Sequence, residues 1–328
     1  MAFDHNTPTS MCLLIGAIGV AVGLGVAYAC DEPLGYAFKW IDPTKEYDYD
    51  ELRYRVAPVW MVCSLSFIIN WVAFIPAAIL QTERFYDITG SVTYITLILY
   101  SLLTAWHLSK REVILSIMAI VWALRLGSFL FIRIMSAGKD VRFDEIKIRP
   151  ANFWVMWTIQ GLWVFLTALP IFIVNASYSG IVLQANDILG MAVWGIGFSI
   201  EAVADWQKSQ FVAKKTGKWI DEGIWRYSRH PNYFGEILLW IGVFISAASV
   251  FKSSQWVAVI SPLFVTYLLV MVSGIPLLEK RADEKWGSEI EYQRYKAATS
   301  VLIIMPRRSN EDNDDFILLE NNDTEGKG

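Results

Sequence analysis

Apolar stretches of about 20 residues recur along this chain, and short polar segments separate them. A helix of about 20 apolar residues is long enough to cross a hydrocarbon core of roughly 30 Å. Windows of that length lie near residues 11–30, 58–81, 91–108, 112–132, 153–174, 186–204, 235–251 and 255–278. The pattern therefore predicts an all-α fold, a polytopic membrane helix bundle with about eight transmembrane helices.

Composition supports a membrane protein and narrows the range of partners. Hydrophobic residues make up 55% of the 328 positions, and the chain has 15 Trp, 14 Tyr and 18 Phe. The net charge of −4 comes without a basic stripe, so we expect no nucleic-acid partner. Cys12, Cys30 and Cys63 have neither disulfide nor metal-ligand spacing. We accordingly predict no metal site, and we expect membrane lipids around the chain.

Basic residues predict the orientation, because short loops rich in Lys and Arg stay in the cytosol. If the N-terminus is cytosolic, the cytosolic side holds 20 Lys and Arg, and the opposite side holds seven. We therefore expect both termini in the cytosol, in the endoplasmic reticulum membrane of a eukaryote or otherwise in an inner membrane. The acidic segment 309–328 follows the last span, and its composition predicts a disordered tail.

A dense run of polar and aromatic residues, 223–236, opens the seventh apolar stretch. Charged groups at membrane depth cost roughly 2.5–3.5 kcal/mol each on insertion scales, so a cluster of them indicates a functional site. An arginine can bind phosphate through two N–H groups, an asparagine can pair with a carboxamide, and a tyrosine offers a flat face to a ring. The candidate ligand-binding residues of this run are Tyr227, Arg229, His230, Asn232, Tyr233 and Glu236.

A second polar group, Glu201, Asp205 and Lys208, stands at the end of the sixth apolar stretch. The i, i+4, i+7 spacing places the three side chains on one helical face. One interpretation is an amphipathic exit from the membrane, with a surface ion pair worth roughly a few tenths of a kcal/mol. The other is a ligand face on which carboxylates accept hydrogen bonds from ribose hydroxyls or an amide and Lys208 neutralises phosphate. The polar run that follows within about 30 residues favours the second interpretation.

Four motifs follow one another within residues 185–308. They are Ile200-Glu-x-x-x-Asp-x-Gln-Lys208, Trp225-Arg-Tyr-Ser-Arg-His-Pro-Asn-Tyr-Phe-Gly-Glu236, Ser273-Gly-Ile-Pro-Leu-Leu-Glu-Lys-Arg281 and Tyr292-x-x-Tyr-x-x-x-Thr299. In this order they resemble the C-terminal domain of the steroid 5-alpha-reductase superfamily, in particular its broad branch of reductase-like membrane proteins. The implied domains are an N-terminal transmembrane region on the substrate side, 1–184, a cofactor-binding transmembrane domain, 185–308, and the tail, 309–328.

The resemblance implies a helical membrane enzyme that holds NADPH in a cytosol-facing cavity. Such enzymes reduce the carbon–carbon double bond of an enone, so the implied partner is a lipophilic small molecule, a lipid or steroid-like substrate. The positions that look similar to the family's cofactor-contacting residues are Glu201, Asp205, Asn232 and Glu236. The branch's own variant of the motif contains Arg229, His230 and Tyr233.

The first half of the chain departs from the characterised steroid reductases, which carry a Glu and a Tyr on early spans to activate the substrate ketone. The nearest candidates for a catalytic role are Tyr86 and Asp87, with Tyr94 about two turns further along as an alternative. A structural ion pair between Asp87 and the span-buried Arg125 is an equally good interpretation. Steroid specificity is therefore not implied.

Two other classes of function stay open. Membrane isoprenylcysteine and phospholipid methyltransferases share the Arg-His-Pro-x-Tyr piece and use it for S-adenosylmethionine at a similar cytosolic pocket. The acidic face at Glu201 and Asp205 and the segment 232–236 suit a larger dinucleotide, so we favour the reductase over the methyltransferase. The third class is a non-catalytic membrane scaffold or lipid-binding protein that retains the cofactor pocket.

Overall fold

The structure, a computed structural model, describes residues 8–37, 57–105, 108–140, 143–177 and 182–307. Within these ranges the regular elements are all helical, so the predicted all-α class is confirmed. The α-helices are α1 Thr9–Ala37, α2 Val59–Ile79, α3 Tyr86–Leu103, α4 Lys110–Ala137, α5 Pro150–Ala176, α6 Ala185–Ala213, α7 Pro231–Ala247, α8 Ile260–Tyr267, α9 Ile275–Trp286 and α10 Ile290–Ala298. The predicted disordered tail, 309–328, lies outside the described residues.

Among the described residues, seven helical segments are long and apolar enough to cross a membrane, which agrees with a polytopic helical membrane protein. They are Thr9–Asp31, Val59–Ile79, Lys110–Ser136, Pro150–Ala176, Ala185–Ala213, Pro231–Val250 and Ser253–Trp286. The third predicted span, 91–108, corresponds to the 18-residue helix α3, whose first turns are polar and which is not among the seven. Both termini share one side only after an even number of crossings, so the predicted orientation requires α3 to cross as well.

The chain divides into two compact units. The first unit comprises Met1–Met191 and Val243–Phe264, and the second comprises Ala192–Gly242 and Val265–Gly328. The division falls inside α6 and again inside α7, so neither unit is one continuous stretch of chain. The functional partition into a substrate half and a cofactor half stays a prediction.

Helix α5 is the most buried of the candidate spans and forms the centre of the first unit. It begins at Pro150, which suits the first turn of a helix because proline has no backbone N–H to leave unpaired. Gly161 lets α2 approach closely, since a Cβ there would lie 3.3 Å from the Ser66 carbonyl oxygen. The Ser66 hydroxyl in turn donates to the Gly161 carbonyl at 2.7 Å. Side chains of α1, α2 and α3 complete this packing.

A buried ion pair joins α4 and α6 within the first unit. The Arg111 Nε and Nη2 atoms each lie 2.7 Å from a carboxylate oxygen of Asp187, and both side chains are almost completely buried. Asp187 Oδ2 also accepts the backbone N–H of Gln184 at 2.7 Å. The two-point geometry and the extra hydrogen bond offset the cost of removing both charges from water.

The three cysteines of the chain are free thiols, and all three are buried in the first unit. Cys12 Sγ lies 3.1 Å from Asn152 Oδ1 on α5. The prediction that they are small, mainly apolar groups of the spans agrees with this burial.

In the second unit, two glycines set the crossing of α6 and α7. A Cβ on Gly235 would lie 2.6 Å from both the Glu201 backbone nitrogen and the Gly197 carbonyl oxygen. A Cβ on Gly197 would lie 2.6 Å from the Leu239 backbone nitrogen. The backbones therefore touch directly, as small residues permit in membrane helices. This contact brings the polar end of α6 against the first turns of α7.

The last candidate span is interrupted inside the second unit. Helix α8 continues into a π-helical turn, Leu268–Val272. Ser273 and Gly274 then interrupt the helix before α9 begins. Proline at position 276 cannot donate a backbone hydrogen bond, which explains why a new helix starts there. The break lies against α7, since a Cβ on Gly274 would be 2.9 Å from the Tyr233 ring.

Candidate functional site

The acidic face predicted on α6 is buried in the second unit. Glu201 is 2% exposed and Asp205 is 5% exposed. Lys208 is half-buried, and its Nζ lies 4.9 Å from the centre of the Trp225 ring. This distance allows a cation–π contact. The three residues therefore lie on one side of α6, as the spacing predicts. This side packs against the polar run 223–236.

The start of α7 brings a second set of polar side chains to the same place. The Asn232 amide donates to Asp205 Oδ1 at 3.3 Å. Glu236, one turn further along α7, is 7% exposed. The glycine crossing explains this proximity, because Gly235 packs against the backbone of Glu201. Sequence reasoning placed these residues in one site, and the structure brings Asp205 and Asn232 into contact.

A short 3₁₀ turn, Gly223–Arg226, holds the polar run against α6. Gly223 has a φ of +63°, which an L side chain rarely adopts, and its neighbour Ile224 donates its backbone N–H to Gln207 at 3.0 Å. The Trp225 indole donates to the Ala204 carbonyl at 3.0 Å. These contacts fix the loop that leads into α7.

The following residues pair with the C-terminal part of the second unit. Arg229 donates its backbone N–H to the Ser300 carbonyl at 2.8 Å, and the Ser228 hydroxyl donates to the Leu302 carbonyl at 2.7 Å. The Met305 N–H donates to the Tyr227 carbonyl at 3.2 Å. This pairing joins the polar run to segment 300–305, which follows the fourth motif and contributes backbone atoms. Tyr227 itself is 43% exposed, so its ring faces outward from this pairing.

Glu279 on α9 lies at the centre of a charged cluster that the sequence interpretation did not assign to the site. Its Oε1 lies 2.8 Å from His230 Nε2, and its Oε2 lies 3.3 Å from Arg229 and 3.9 Å from Lys296. Lys296 on α10 also contacts Asp283 at 2.6 Å. The third motif contains Glu279, so the motif order was the signal that could have identified it.

Arg229 is mainly engaged within the protein. Besides the contact with Glu279, its Nη1 donates to the Lys296 carbonyl at 3.2 Å. Among the described residues, the buried Nε of Arg229 has no hydrogen-bond partner. The predicted phosphate contact of this residue is therefore limited to Nε unless the cluster rearranges.

His230 is buried between α7 and α9. Its ring stacks on the Tyr233 ring, with centroids 5.7 Å apart and an angle of 11° between the planes. Burial lowers the pKa of His230, and the nearby charges of Lys208 and Arg229 lower it further. The hydrogen bond and charge of Glu279 oppose this, but the net shift is downward. The imidazole is therefore neutral near pH 7.

The two catalytic candidates lie in the first unit and have structural contacts there. The Tyr86 hydroxyl donates to the Met156 carbonyl at 2.9 Å, and its ring packs against Phe143 and Trp157. Asp87 lies 3.6 Å from Arg133, whose side chain is half exposed. The alternative, Tyr94, is buried and shares a hydrogen bond with Thr167.

The polar groups of the second unit can be compared with the needs of a nucleotide. Carboxylates of Glu201 and Asp205 accept hydrogen bonds from hydroxyl groups, and the Asn232 amide both donates and accepts. Lys208 Nζ and the Arg229 Nε provide positive charge for an anion. The chemistry of this set therefore fits a molecule that combines hydroxyls, an amide and phosphate, as NADPH does. Within the described residues, no group of three or more His, Cys, Asp or Glu side chains could hold a metal ion.

The fold and the polar cluster define a multi-pass helical membrane protein with buried ionisable groups. The chain belongs to the family described as protein of unknown function (DUF1295), whose family model matches residues 73–299. The matched range includes all the candidate site residues named above, from Tyr86 to Lys296. No curated protein and no solved structure matches the chain.

Proposed function

We propose that this protein is a membrane-embedded, NADPH-dependent reductase of a carbon–carbon double bond in a lipophilic enone. The observation that carries the proposal is the set formed by the buried Glu201 and Asp205 and the partly buried Asn232, which the α6–α7 crossing brings together beside Lys208. Buried ionisable groups in a membrane protein are costly and mark functional sites by default. We further propose that its family is a branch of the steroid 5-alpha-reductase superfamily.

Each residue of the set has a distinct role in this proposal. Glu201 and Asp205 accept hydrogen bonds from ribose hydroxyls, and the Asn232 amide orients the carboxamide of the cofactor. Glu236 lies one turn beyond Asn232 on α7 and is a further cofactor contact in this proposal. Lys208 and the Nε of Arg229 neutralise phosphate. When bound, NADPH supplies a hydride.

The proton chemistry is assigned to the first unit. Of the two candidates, Asp87 is the better proton donor, because the Tyr86 hydroxyl already donates to the Met156 carbonyl. A carboxyl group at Asp87 can polarise a carbonyl oxygen when protonated. The substrate in this proposal is a lipid or other lipophilic enone, since most helices of the first unit are apolar and long enough to lie in the bilayer where such molecules dissolve.

A methyltransferase is the second candidate function, and one observation favours it. Glu201, Asp205 and Glu236 are three buried carboxylates in one unit, and S-adenosylmethionine carries a positive sulfonium and an ammonium group that acids attract. The reductase remains the preferred proposal because Lys208 and Arg229 suit phosphate, which S-adenosylmethionine lacks.

Thermal unfolding of the detergent-purified protein separates these functions. A ligand that binds only the folded state stabilises it by about 2.7 kcal/mol at 100 times its Kd. We expect NADPH to raise the melting temperature and S-adenosylmethionine to leave it unchanged. The reverse ranking would establish the methyltransferase instead. No response to either ligand would favour a non-catalytic scaffold.

Turnover measurements test the catalytic assignment. Asp87→Asn should leave NADPH binding nearly unchanged and reduce turnover with an accepted enone by a factor of about 100 to 10,000. Tyr86→Phe removes only the hydroxyl and should reduce turnover far less. A normal rate in Asp87→Asn would move the search for the donor to Tyr94.

A further inference from the structure

The Glu279 carboxylate fixes the protonation of the His230 ring through a hydrogen bond at its Nε2 edge. An ionised carboxylate only accepts hydrogen bonds, so a ring nitrogen 2.8 Å away must carry the proton. In a neutral imidazole that proton is then on Nε2, and Nδ1 keeps its lone pair. Glu279 is itself kept ionised by the positive charge of Arg229 at 3.3 Å and of Lys296 at 3.9 Å.

The ring is held in this orientation, because a half-turn about its Cβ–Cγ bond would carry Nε2 away from Glu279. It stacks on Tyr233, and the His230 backbone N–H donates to the Ser228 hydroxyl at 3.2 Å. Ser228 is fixed in turn through its hydroxyl contact with the Leu302 carbonyl at 2.7 Å. Ser228, anchored on the Leu302 carbonyl, therefore holds the backbone of His230. The Tyr233 ring holds the plane of the imidazole, and Glu279 selects the tautomer.

We propose that Glu279 is a positioning residue of the ligand site: it fixes His230 as the Nε2–H tautomer, so that Nδ1 accepts a hydrogen bond from an N–H or O–H group of the bound nucleotide. The part that concerns the nucleotide rests on the proposed function. The part that concerns the tautomer depends only on the geometry of His230, Glu279 and Tyr233. Glu279 acts through His230 and need not touch the ligand.

The charged groups around His230 determine how this arrangement depends on pH. Glu279 on α9 favours the protonated ring, whereas burial and the positive charges of Lys208 and Arg229 disfavour it. Lys296 lies beyond Glu279, 3.9 Å from its Oε2, and Asp283 in turn contacts Lys296 at 2.6 Å. Below its pKa the ring gains a proton on Nδ1 and loses the acceptor. Ligand affinity should therefore fall on the acid side of this transition.

The tautomer can be measured without any ligand. The chain has only three histidines, His5, His107 and His230, so the full chain carrying His5→Gln and His107→Gln reports on His230 alone. After ¹⁵N labelling of histidine, NMR at pH 7.5 should show a protonated Nε2 and an unprotonated Nδ1. A spectrum of the Nδ1–H tautomer, or of imidazolium, would overturn the proposal.

The pH profile of NADPH affinity tests the positioning role. Glu279→Gln removes the charge that favours protonation, so the acid-side loss of affinity should shift to lower pH, and affinity at pH 7.5 should fall about tenfold. The matched control is Glu291→Gln, which removes an exposed glutamate paired with Lys218 in the same unit and should change neither quantity. A Glu279→Gln profile that falls by the same factor at every pH would show a merely structural role and would overturn the proposal.

The two proposals fail in different ways. If Glu279→Gln does not fold, Glu279→Asp keeps the charge and should keep the wild-type pH profile, and a shifted profile in that variant would count against the inference. If NADPH fails to bind the wild-type protein while NMR shows the Nε2–H tautomer, the proposed function is wrong and the positioning by Glu279 stands. If NADPH binds normally and NMR shows the Nδ1–H tautomer, the positioning by Glu279 is wrong and the proposed function stands.

Discussion

The two units treat buried charge differently. In the first unit, Arg111 meets Asp187 through two contacts of 2.7 Å, and Lys147 meets the buried Glu83 at 2.8 Å. In the second unit, the buried Asp205 accepts a hydrogen bond from the neutral amide of Asn232 at 3.3 Å, and the half-buried Lys208 lies over the Trp225 ring. Tight pairs between opposite charges stabilise a fold, whereas a collection of acids, an amide and one half-buried lysine suits a polar ligand.

The comparison also explains why burial alone does not identify a site. Arg111 and Asp187 are among the most buried charged residues in the described part of the chain, and their geometry matches a structural pair completely. Glu201 and Asp205 are buried to a similar degree, but they lie on the polar face at the end of α6, where α7 begins. The identity of the neighbours, more than the degree of burial, distinguishes the two kinds of charge.

The largest effect is expected from breaking the buried pair of the first unit. Arg111→Met leaves Asp187 buried without its partner, which should lower the free energy of unfolding by about 3–5 kcal/mol. Chemical or thermal unfolding in detergent measures this loss. Lys218→Met is the control, since it breaks an exposed pair with Glu291 and should cost less than about 1 kcal/mol. Equal stability of the two variants would contradict the structural role of Arg111.

A smaller effect, and one on binding rather than stability, is expected at Asn232 in the second unit. Asn232→Ala removes an amide contact and should weaken NADPH binding by about 1.5–3 kcal/mol, roughly 10- to 150-fold in Kd. Isothermal titration of the purified variant measures it. Asn186→Ala, which removes an amide contact of 3.1 Å to Ile245 in the first unit, should bind NADPH normally. The contrast between the units fails if both variants lose affinity alike.

The close contact between the backbones of α6 and α7 predicts how glycine substitutions change the stability of the second unit. Gly235→Ala places a methyl group 2.6 Å from backbone atoms of Glu201 and Gly197, and it should destabilise the protein by about 1–3 kcal/mol. Gly195→Ala, on α6, the other helix of the crossing, meets nothing within 4 Å and should be neutral or stabilise by up to about 1 kcal/mol. Melting temperatures of the two variants test this pair, and a stable Gly235→Ala would mean that the helices are less close than described.

The smallest effect concerns pH and belongs to the first unit. Burial raises the pKa of Glu83, but hydrogen bonds from Lys147 and the Asp140 N–H outweigh it, so the net pKa is lowered. A lowered folded-state pKa gives stability that is present above the unfolded value of about 4.3 and is lost as pH falls through the folded value. Glu83→Gln should remove this part of the acid dependence. Below pH 5, the free energy of unfolding should therefore change less with pH in the variant than in the wild type.

The periodicity of apolar residues predicted the helical membrane fold, because each long span is apolar over its own length. It also predicted the shared face of Glu201, Asp205 and Lys208, since that face depends only on helical geometry. Helix α3 was harder to judge, because its polar first turns leave it at the margin between a span and an interior helix. The family match begins at residue 73, so it includes much of the first half of the chain as well as the four motifs.

The role of Glu279 could not be derived from spacing. It lies 49 positions from His230, so only the tertiary fold brings the two together. The same limit applies to Arg229, whose type suggested phosphate binding although its side chain contacts Glu279 and the Lys296 carbonyl. The structure also places Asp87 3.6 Å from Arg133, about two turns beyond Arg125 on α4, and the predicted pairing with Arg125 itself stays a prediction.

The burial of all three thiols has a practical consequence for chemical labelling. A water-soluble maleimide that cannot cross membranes should ignore Cys12, Cys30 and Cys63 in the folded protein, so an added cysteine becomes the reporter without removal of the native ones. Arg84→Cys and Leu108→Cys place such reporters at exposed positions on either side of α3. In sealed vesicles, one of them should react from outside and the other only after permeabilisation if α3 crosses the bilayer.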